Sequence, residues 1–218
     1  MVKYTDIYPD DIVLIKTIWF REEAAQFNLF IPNATELEKS ITHAIFTAQG
    51  AGGMGDADGG GGALVKSKVS VTPGELLFAQ VGRCSTASVL GDSFIKRADN
   101  TVIVYADRGR GNGNPGLATN STGQLKRDGF AANALPSANR GSPSSDLDSL
   151  QSLGMGGFGY INAQGVLAFQ AADPGGAGRL VPRYDSGGNW LGDYVARGAG
   201  TGTLAIQLFN GDPGPLSF

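Results

Sequence analysis

The residues of this chain that could do chemistry begin with glycines. After the alternating run ITHAIFTA, Gly50, Gly52 and Gly55 spell G-x-G-x-x-G, the spacing with which a strand-to-helix turn brings backbone amides against a pyrophosphate. That chemistry needs the third glycine to open a helix. Here Met54 and Gly55 are followed by DADGGGG, and each glycine costs ~1 kcal/mol in a helix interior. The sequence therefore predicts no such helix and no dinucleotide cofactor.

Ser93 is the next candidate, because Gly91-Asp92-Ser93-Phe94 looks like the nucleophile block of the GDSL esterases. A serine nucleophile needs a base. Those esterases carry Asp-x-x-His near the C-terminus, whereas the only histidine of this chain, His43, stands far upstream in an alternating strand pattern. The expectation is a turn at residues 91–94, a strand histidine at 43, and no catalytic residue. Cys84 is alone, so neither an intrachain disulfide nor a zinc cage follows from one Cys and one His. Asp56 and Asp58 stand as in a calcium loop, but residue 67, where an EF-hand places its bidentate carboxylate, is Ser. The sequence predicts no metal centre and leaves open whether those two aspartates bind a cation.

Composition narrows the class. In 218 residues 41% are hydrophobic and 17% charged, with a net charge of -3 and no run of Lys or Arg, so the electrostatic footprint of a nucleic-acid partner is missing. The opening MVKYTDIYPDDIVLIKTIWF breaks every apolar run with Lys or Asp, which argues against a signal core and against membrane insertion. Glycine numbers 34, roughly twice the ~7% average and without a collagen period. Its clusters alternate with short β-branched and aromatic runs. These predict strands over residues 12–20, 26–31, 41–48, 63–71, 76–81, 101–106, 166–170 and 203–209, and NATELEK at 33–39 is the one stretch of helical density, with Asn33 as its cap.

An all-β domain follows, a β-sandwich or jelly-roll-like fold with little helix. Polyglycine adopts an extended threefold helix without internal hydrogen bonds, and several such segments side by side pair their backbone groups with one another, since no side chain holds them apart. Ordering glycine is entropically costly, so the arrangement requires strands anchoring both ends. The alternation supplies those anchors, with Gly50, Gly52, Gly53, Gly59, Gly60, Gly61, Gly62, Gly198, Gly200 and Gly202 as the structural glycines.

FNLFIPNATELEKSITHAIFTAQGAGG, GGGGALVKSKVSVTPGELLFAQVG and GAGTGTLAIQLF together resemble the glycine-rich domain of bacteriophage tail-fibre and related virion structural proteins. The likeness covers an aromatic opening at Phe27 to Pro32, a strand running into glycine, a Thr72-Pro73-Gly74-Glu75 turn, a strand ending at Val81-Gly82, and a last strand after Gly198. The stretch 109–153 departs from it, being richer in Ser, Asn, Asp and Leu. The resemblance implies a virion subunit that is not an enzyme. Its partners would be other virion proteins, copies of itself and a host surface receptor, and it would be made in the host cytoplasm and released by lysis. A bacterial surface or matrix adhesion protein is the alternative.

Residues 1–24 precede the glycine-rich pattern and are expected to form an edge strand or an assembly arm, with Ile12, Leu14, Trp19 and Phe20 as its contact residues. Residues 25–210 form the glycine-rich β domain and 211–218 a short tail. RYDSGGNWLGDY at 183–194 has the composition of a receptor-binding loop, with Arg183, Tyr184, Asn189, Trp190 and Tyr194 as candidates, since Tyr and Trp offer broad contact at low entropic cost.

Overall fold

A computed structural model of the chain describes residues 12–20, 24–33, 40–53, 60–83, 90–111, 113–129, 159–161, 167–169, 179–184, 190–197 and 201–217. At 24–25 and between 159 and 197 the description is of the backbone alone. The strands are β1 (Leu14–Phe20), β2 (Ala24–Phe30), β3 (His43–Gln49), β4 (Leu64–Ser70), β5 (Leu76–Val81), β6 (Ser93–Arg97), β7 (Val102–Ala106), β8 (Leu125–Arg127), β9 (Gly159–Ile161), β10 (Leu167–Phe169), β11 (Arg179–Tyr184), β12 (Trp190–Arg197) and β13 (Thr203–Phe209). The helical content among the described residues is one 3-10 turn at Ala118–Asn120. The chain is all-β.

Two antiparallel sheets form the body. One runs β1-β13-β3-β4-β8 and the other β2-β5-β6-β7. β5 shows the alternation of a half-buried strand. In β5, LLFAQV, Leu77, Ala79 and Val81 turn inward and Leu76, Phe78 and Gln80 outward. Phe46 of β3, Val65 of β4 and Leu204, Ile206 and Leu208 of β13 meet Leu29, Leu77, Val81, Ile95 and Val104 of the other sheet in one core. β9 with β10 and β11 with β12 form two further antiparallel hairpins.

The sides of this body are closed differently. At one side Thr122 pairs with Tyr105 of β7 through two backbone bonds of 2.8 and 2.9 Å, and the same chain continues into β8 of the other sheet. At the opposite side β1 hands over to β2, where the rings of Phe20 and Phe27 lie 5.2 Å apart. The ends differ as well. One carries compact links such as 72–75, where Glu75 N–H donates to Thr72 O at 3.0 Å and Gly74 takes φ of 79°. That is the type II turn the Thr-Pro-Gly-Glu sequence calls for. The other end receives the glycine-rich connections after β3, β5 and β7 and before β13.

Several expectations need correction. Residues 91–94 are not a turn throughout, because Ser93 and Phe94 open β6 and pair with Ala106 and Tyr105. The sequence hides this strand because its inward residue at position 93 is polar. Residues 183–194 are not one loop. Arg183 and Tyr184 end β11, Trp190 and Tyr194 belong to β12, and Tyr184 stands opposite Trp190 and Pro182 opposite Tyr194. Asn189 lies outside the described residues, as do Asp56, Asp58, Cys84 and positions 34–39 of the helical stretch.

β1 is an edge strand of its own chain, antiparallel to β13, with Ile15, Ile18 and Phe20 packed against the core. Leu14 and Trp19 lie in the same strand, and Ile12 packs against Gly211 at its entry. A chain beginning at residue 23 is therefore expected to lose cooperative unfolding in urea and to elute as an aggregate or an expanded species. A folded monomer with an unchanged midpoint would show that β1 is dispensable.

Candidate functional site

At the glycine-rich end the strands give way to backbone that packs on backbone. Gly50 N–H donates to Ala63 O at 3.0 Å, Gly53 N–H to Gly60 O at 2.9 Å, Gly60 N–H to Arg110 O at 2.9 Å, Ala63 N–H to Asp107 O at 2.8 Å, Gly109 N–H to Ala51 O at 2.9 Å and Gly116 N–H to Gly61 O at 2.8 Å. Segment 60–63 thus bonds to three others: 50–53, 107–110 and the chain at Gly116. A strand in a sheet has at most two neighbours, one on each edge. This layer is therefore not a continuation of either sheet.

The absence of a Cβ makes it possible. A methyl group on Gly60 would fall on the carbonyl of Asn114, and one on Gly109 on the carbonyl of Gly60, both well inside the 3.0 Å that real Cβ atoms respect. Left-handed backbone is not the reason. Among the described residues positive φ at glycine occurs at Gly74, Gly113 and Gly214, none of them in these contacts. The described layer glycines all keep negative or extended φ. Gly52, Gly61 and Gly62 are buried in the same layer, while Gly59, Gly198 and Gly200 lie outside the described residues. Gly202 N–H reaches Gly82 O at 2.7 Å, joining the start of β13 to the end of β5.

Two carboxylates bind the layer to the strands beneath. Asp107, only 3% exposed, takes Arg110 in a two-pronged contact at 2.9 and 3.1 Å and the Leu117 N–H at 2.9 Å, with Asn120 Nδ2 at 3.3 Å. Buried carboxylates require this degree of satisfaction. The same pairing raises the already high pKa of the Arg110 guanidinium. Asp92 accepts the Arg108 N–H at 3.0 Å and Arg108 Nη1 at 3.4 Å. Burial first, then its hydrogen bond to Asp92, pushes the Tyr105 phenol well above its ordinary value. The stem of Arg108 occupies the space where Gly91 would carry a side chain. Sequence reading overlooked Asp107, Arg108 and Arg110 and met Asp92 only within the serine motif. The available signal was D-R-G-R-G directly after the strand VIVYA.

The geometry also decides the chemical readings. The amides of Gly50, Ala51 and Gly53 donate to Ala63, Gly91 and Gly60 carbonyls, so they are not aimed at a phosphate. Ser93 is 0% exposed, and its Oγ accepts the Gly82 N–H at 2.9 Å. His43 bonds the hydroxyls of Thr42 and Ser70 at the far end of β3. Ser93 packs near Gln49 O at the near end, and six residues of strand span roughly 20 Å. Ser93 and His43 therefore do not pair; the serine beside His43 is Ser70, at 3.3 Å. Ser67 is buried and accepts the Gln124 N–H, and among the described residues no three His, Cys, Asp or Glu gather as metal ligands.

No protein-family model matches this chain, and no curated protein matches it. The likeness to the virion glycine-rich domain rests on the residues that carry it.

Alanine at Gly60, Gly109 or Gly116 is expected to lower stability by more than ~1 kcal/mol in urea denaturation, the scale of substitutions that disturb packing. A flexible connection would gain ~0.4 to 1 kcal/mol from the same change. The amides of Gly50, Gly60, Gly109 and Gly116 should exchange as slowly as those of β3. Ser93→Ala is expected to cost about 1–3 kcal/mol by orphaning a buried N–H and to leave any hydrolysis of simple acyl esters unchanged. Turnover that disappears with Ser93 would reinstate a nucleophile.

Proposed function

We propose that this chain is a structural component of a bacteriophage virion, a compact tail-fibre, adhesin-type or capsid-decorating subunit, and that the glycine layer is its functional core. The observation that carries this reading is the interlocked layer itself, in which at least four chain segments are fastened backbone to backbone at one end of a two-sheet body. Among the described residues the layer's amides are spent on neighbouring carbonyls. The layer holds chain in place. We further propose that segments 50–53, 60–63 and 107–110 run as extended threefold helices, the one regular conformation whose amides all point outward to several neighbours.

The layer has an address in the molecule. The chain enters β1 at the opposite end, where Val13 N–H donates to Asn210 Oδ1 at 2.7 Å. Residues 130–201, with the β11–β12 hairpin that carries Arg183, Tyr184, Trp190 and Tyr194, leave from and return to the glycine end. Gly129 N–H is bonded to Gly116 O at 2.9 Å and Gly202 N–H to Gly82 O at 2.7 Å. A subunit attached to its particle through the β1 end would project its glycine end outward, with loops held on a rigid base as recognition requires. Its partners in this reading are other virion proteins, copies of itself and a host surface receptor.

The test is immunogold labelling and mass spectrometry of density-banded particles from lysates of the producing cells. The chain is expected to co-band with particles and to label a fixed location on them. Recovery in the cell envelope, with particles devoid of it, would overturn the proposal in favour of a bacterial adhesion protein.

A further inference from the structure

The outward face of the β2-β5-β6-β7 sheet is not the polar surface that an antiparallel sheet usually turns to water. Across the strands, Asn28 stands opposite Phe78, Phe78 opposite Lys96 and Lys96 opposite Val102, and in the next row Gln80 stands opposite Phe94 and Phe94 opposite Tyr105. Phe30 is 59% exposed at one margin and Val102 42% at another, with Phe78 and Phe94 half-buried between them. Four strands and three rows of residues make a face of roughly 14 by 13 Å. An apolar, aromatic surface of this kind marks a place of contact.

One charge sits in it. The Lys96 ammonium lies 5.6 Å from the centre of the Phe94 ring and 6.0 Å from that of Phe78, and the ion pairs formed among the described residues do not include it. The carboxylates bordering the face are committed elsewhere, Glu75 to Arg97 at 2.8 Å and Asp92 to Arg108 at 3.4 Å. The ring faces hold the ammonium in position without neutralising it. An acidic occupant would supply it with a counter-ion.

We propose that this face binds an anionic saccharide, its carboxylate or acidic substituent paired with Lys96 and the C–H face of a sugar ring packed on the exposed aromatics. A pyranose presents a flat apolar face and a polar rim, which matches rings bordered by Asn28 and Gln80. A second copy of the chain fits less well. A two-fold contact through this face would place Lys96 against its own image in a drying interface, where unpaired like charges are costly. An acidic peptide would satisfy the charge, but these strands, paired on both sides in β5 and β6, offer it no backbone edge. The inference is independent of where the chain resides, so its absence from particles would leave it intact.

The experiment is titration of the full chain with an oligouronate, with a neutral dextran oligosaccharide of equal length and with polyglutamate, followed by calorimetry and analytical ultracentrifugation. Saturable binding to the oligouronate alone is expected, weakening as salt is raised. Lys96→Gln should reduce affinity at least tenfold with an unchanged melting temperature, Lys96→Arg should restore most of it, and Lys16→Gln on β1 should have no effect. Phe30→Ser should weaken binding severalfold. No saturable binding, equal binding of polyglutamate, or indifference to Lys96→Gln would each overturn the proposal. So would self-association abolished by Phe30→Ser without saccharide binding, which would make the face a contact between copies.

Discussion

At the glycine end of this molecule main chain lies directly on main chain, and it can do so only because one member of each close contact lacks a Cβ. In a sheet each backbone spends its polar groups on two neighbours and its side chains keep further chains away. At 60–62 the side chains are gone, and the same few peptide units bond to three other segments. Buried backbone groups are thereby satisfied without secondary structure in the usual sense. The strands below depend on it too, because β3, β4, β5, β6, β7 and β13 all begin or end in chain that the layer holds. The cost lies in the unfolded state, since ordering glycine loses more backbone freedom than ordering any other residue. Asp107, buried, and Asp92, partly buried, help offset it by tying stretches of chain together.

The order in which strands pair has a consequence for assembly of the fold. β13 lies between β1 and β3 in its sheet, so the first strand has no partner until the last one is placed. Contacts this distant in sequence close slowly, because loop entropy is spent before any pairing repays it. By contrast β3–β4, β5–β6 and β6–β7 are neighbours both in sequence and in space, and they can form early.

How much of this was legible follows from the same distinction. LLFAQV at β5 announces itself by alternation, because burial of one face imposes the period, whereas HAIFTAQ at β3 and TLAIQLF at β13 read as strands from short apolar, aromatic and β-branched runs that are buried along most of their length. β6 was concealed by a buried serine that serves a backbone amide, and β8 by its length of three residues. β11 and β12 carry Pro182 and Gly192 inside them, residues that ordinarily argue against strand. Glycine composition pointed to close backbone contact, but not to which segment meets which. Gly60 and Arg110 are bonded across fifty residues, and no local pattern encodes such a pairing. The roles of Asp107 and Arg110 were hidden for the same reason. An Asp and an Arg three apart look like solvated surface until the fold buries one of them.

The stretch from 130 to 201 is longer than either sheet's strands combined, yet its two feet, Gly129 and Gly202, are each fixed by a backbone bond within the body. Closing a loop costs an amount that grows only with the logarithm of its length, about 0.6 kcal/mol for each doubling. Selection can therefore lengthen, shorten or replace that stretch at little thermodynamic penalty, provided the two feet stay glycine. The body behaves as a socket with a fixed fitting, and sequence drift should be rapid between the feet and slow at them. Diversity and rigidity are thus assigned to different parts of a single chain by nothing more than where hydrogen replaces a methyl group.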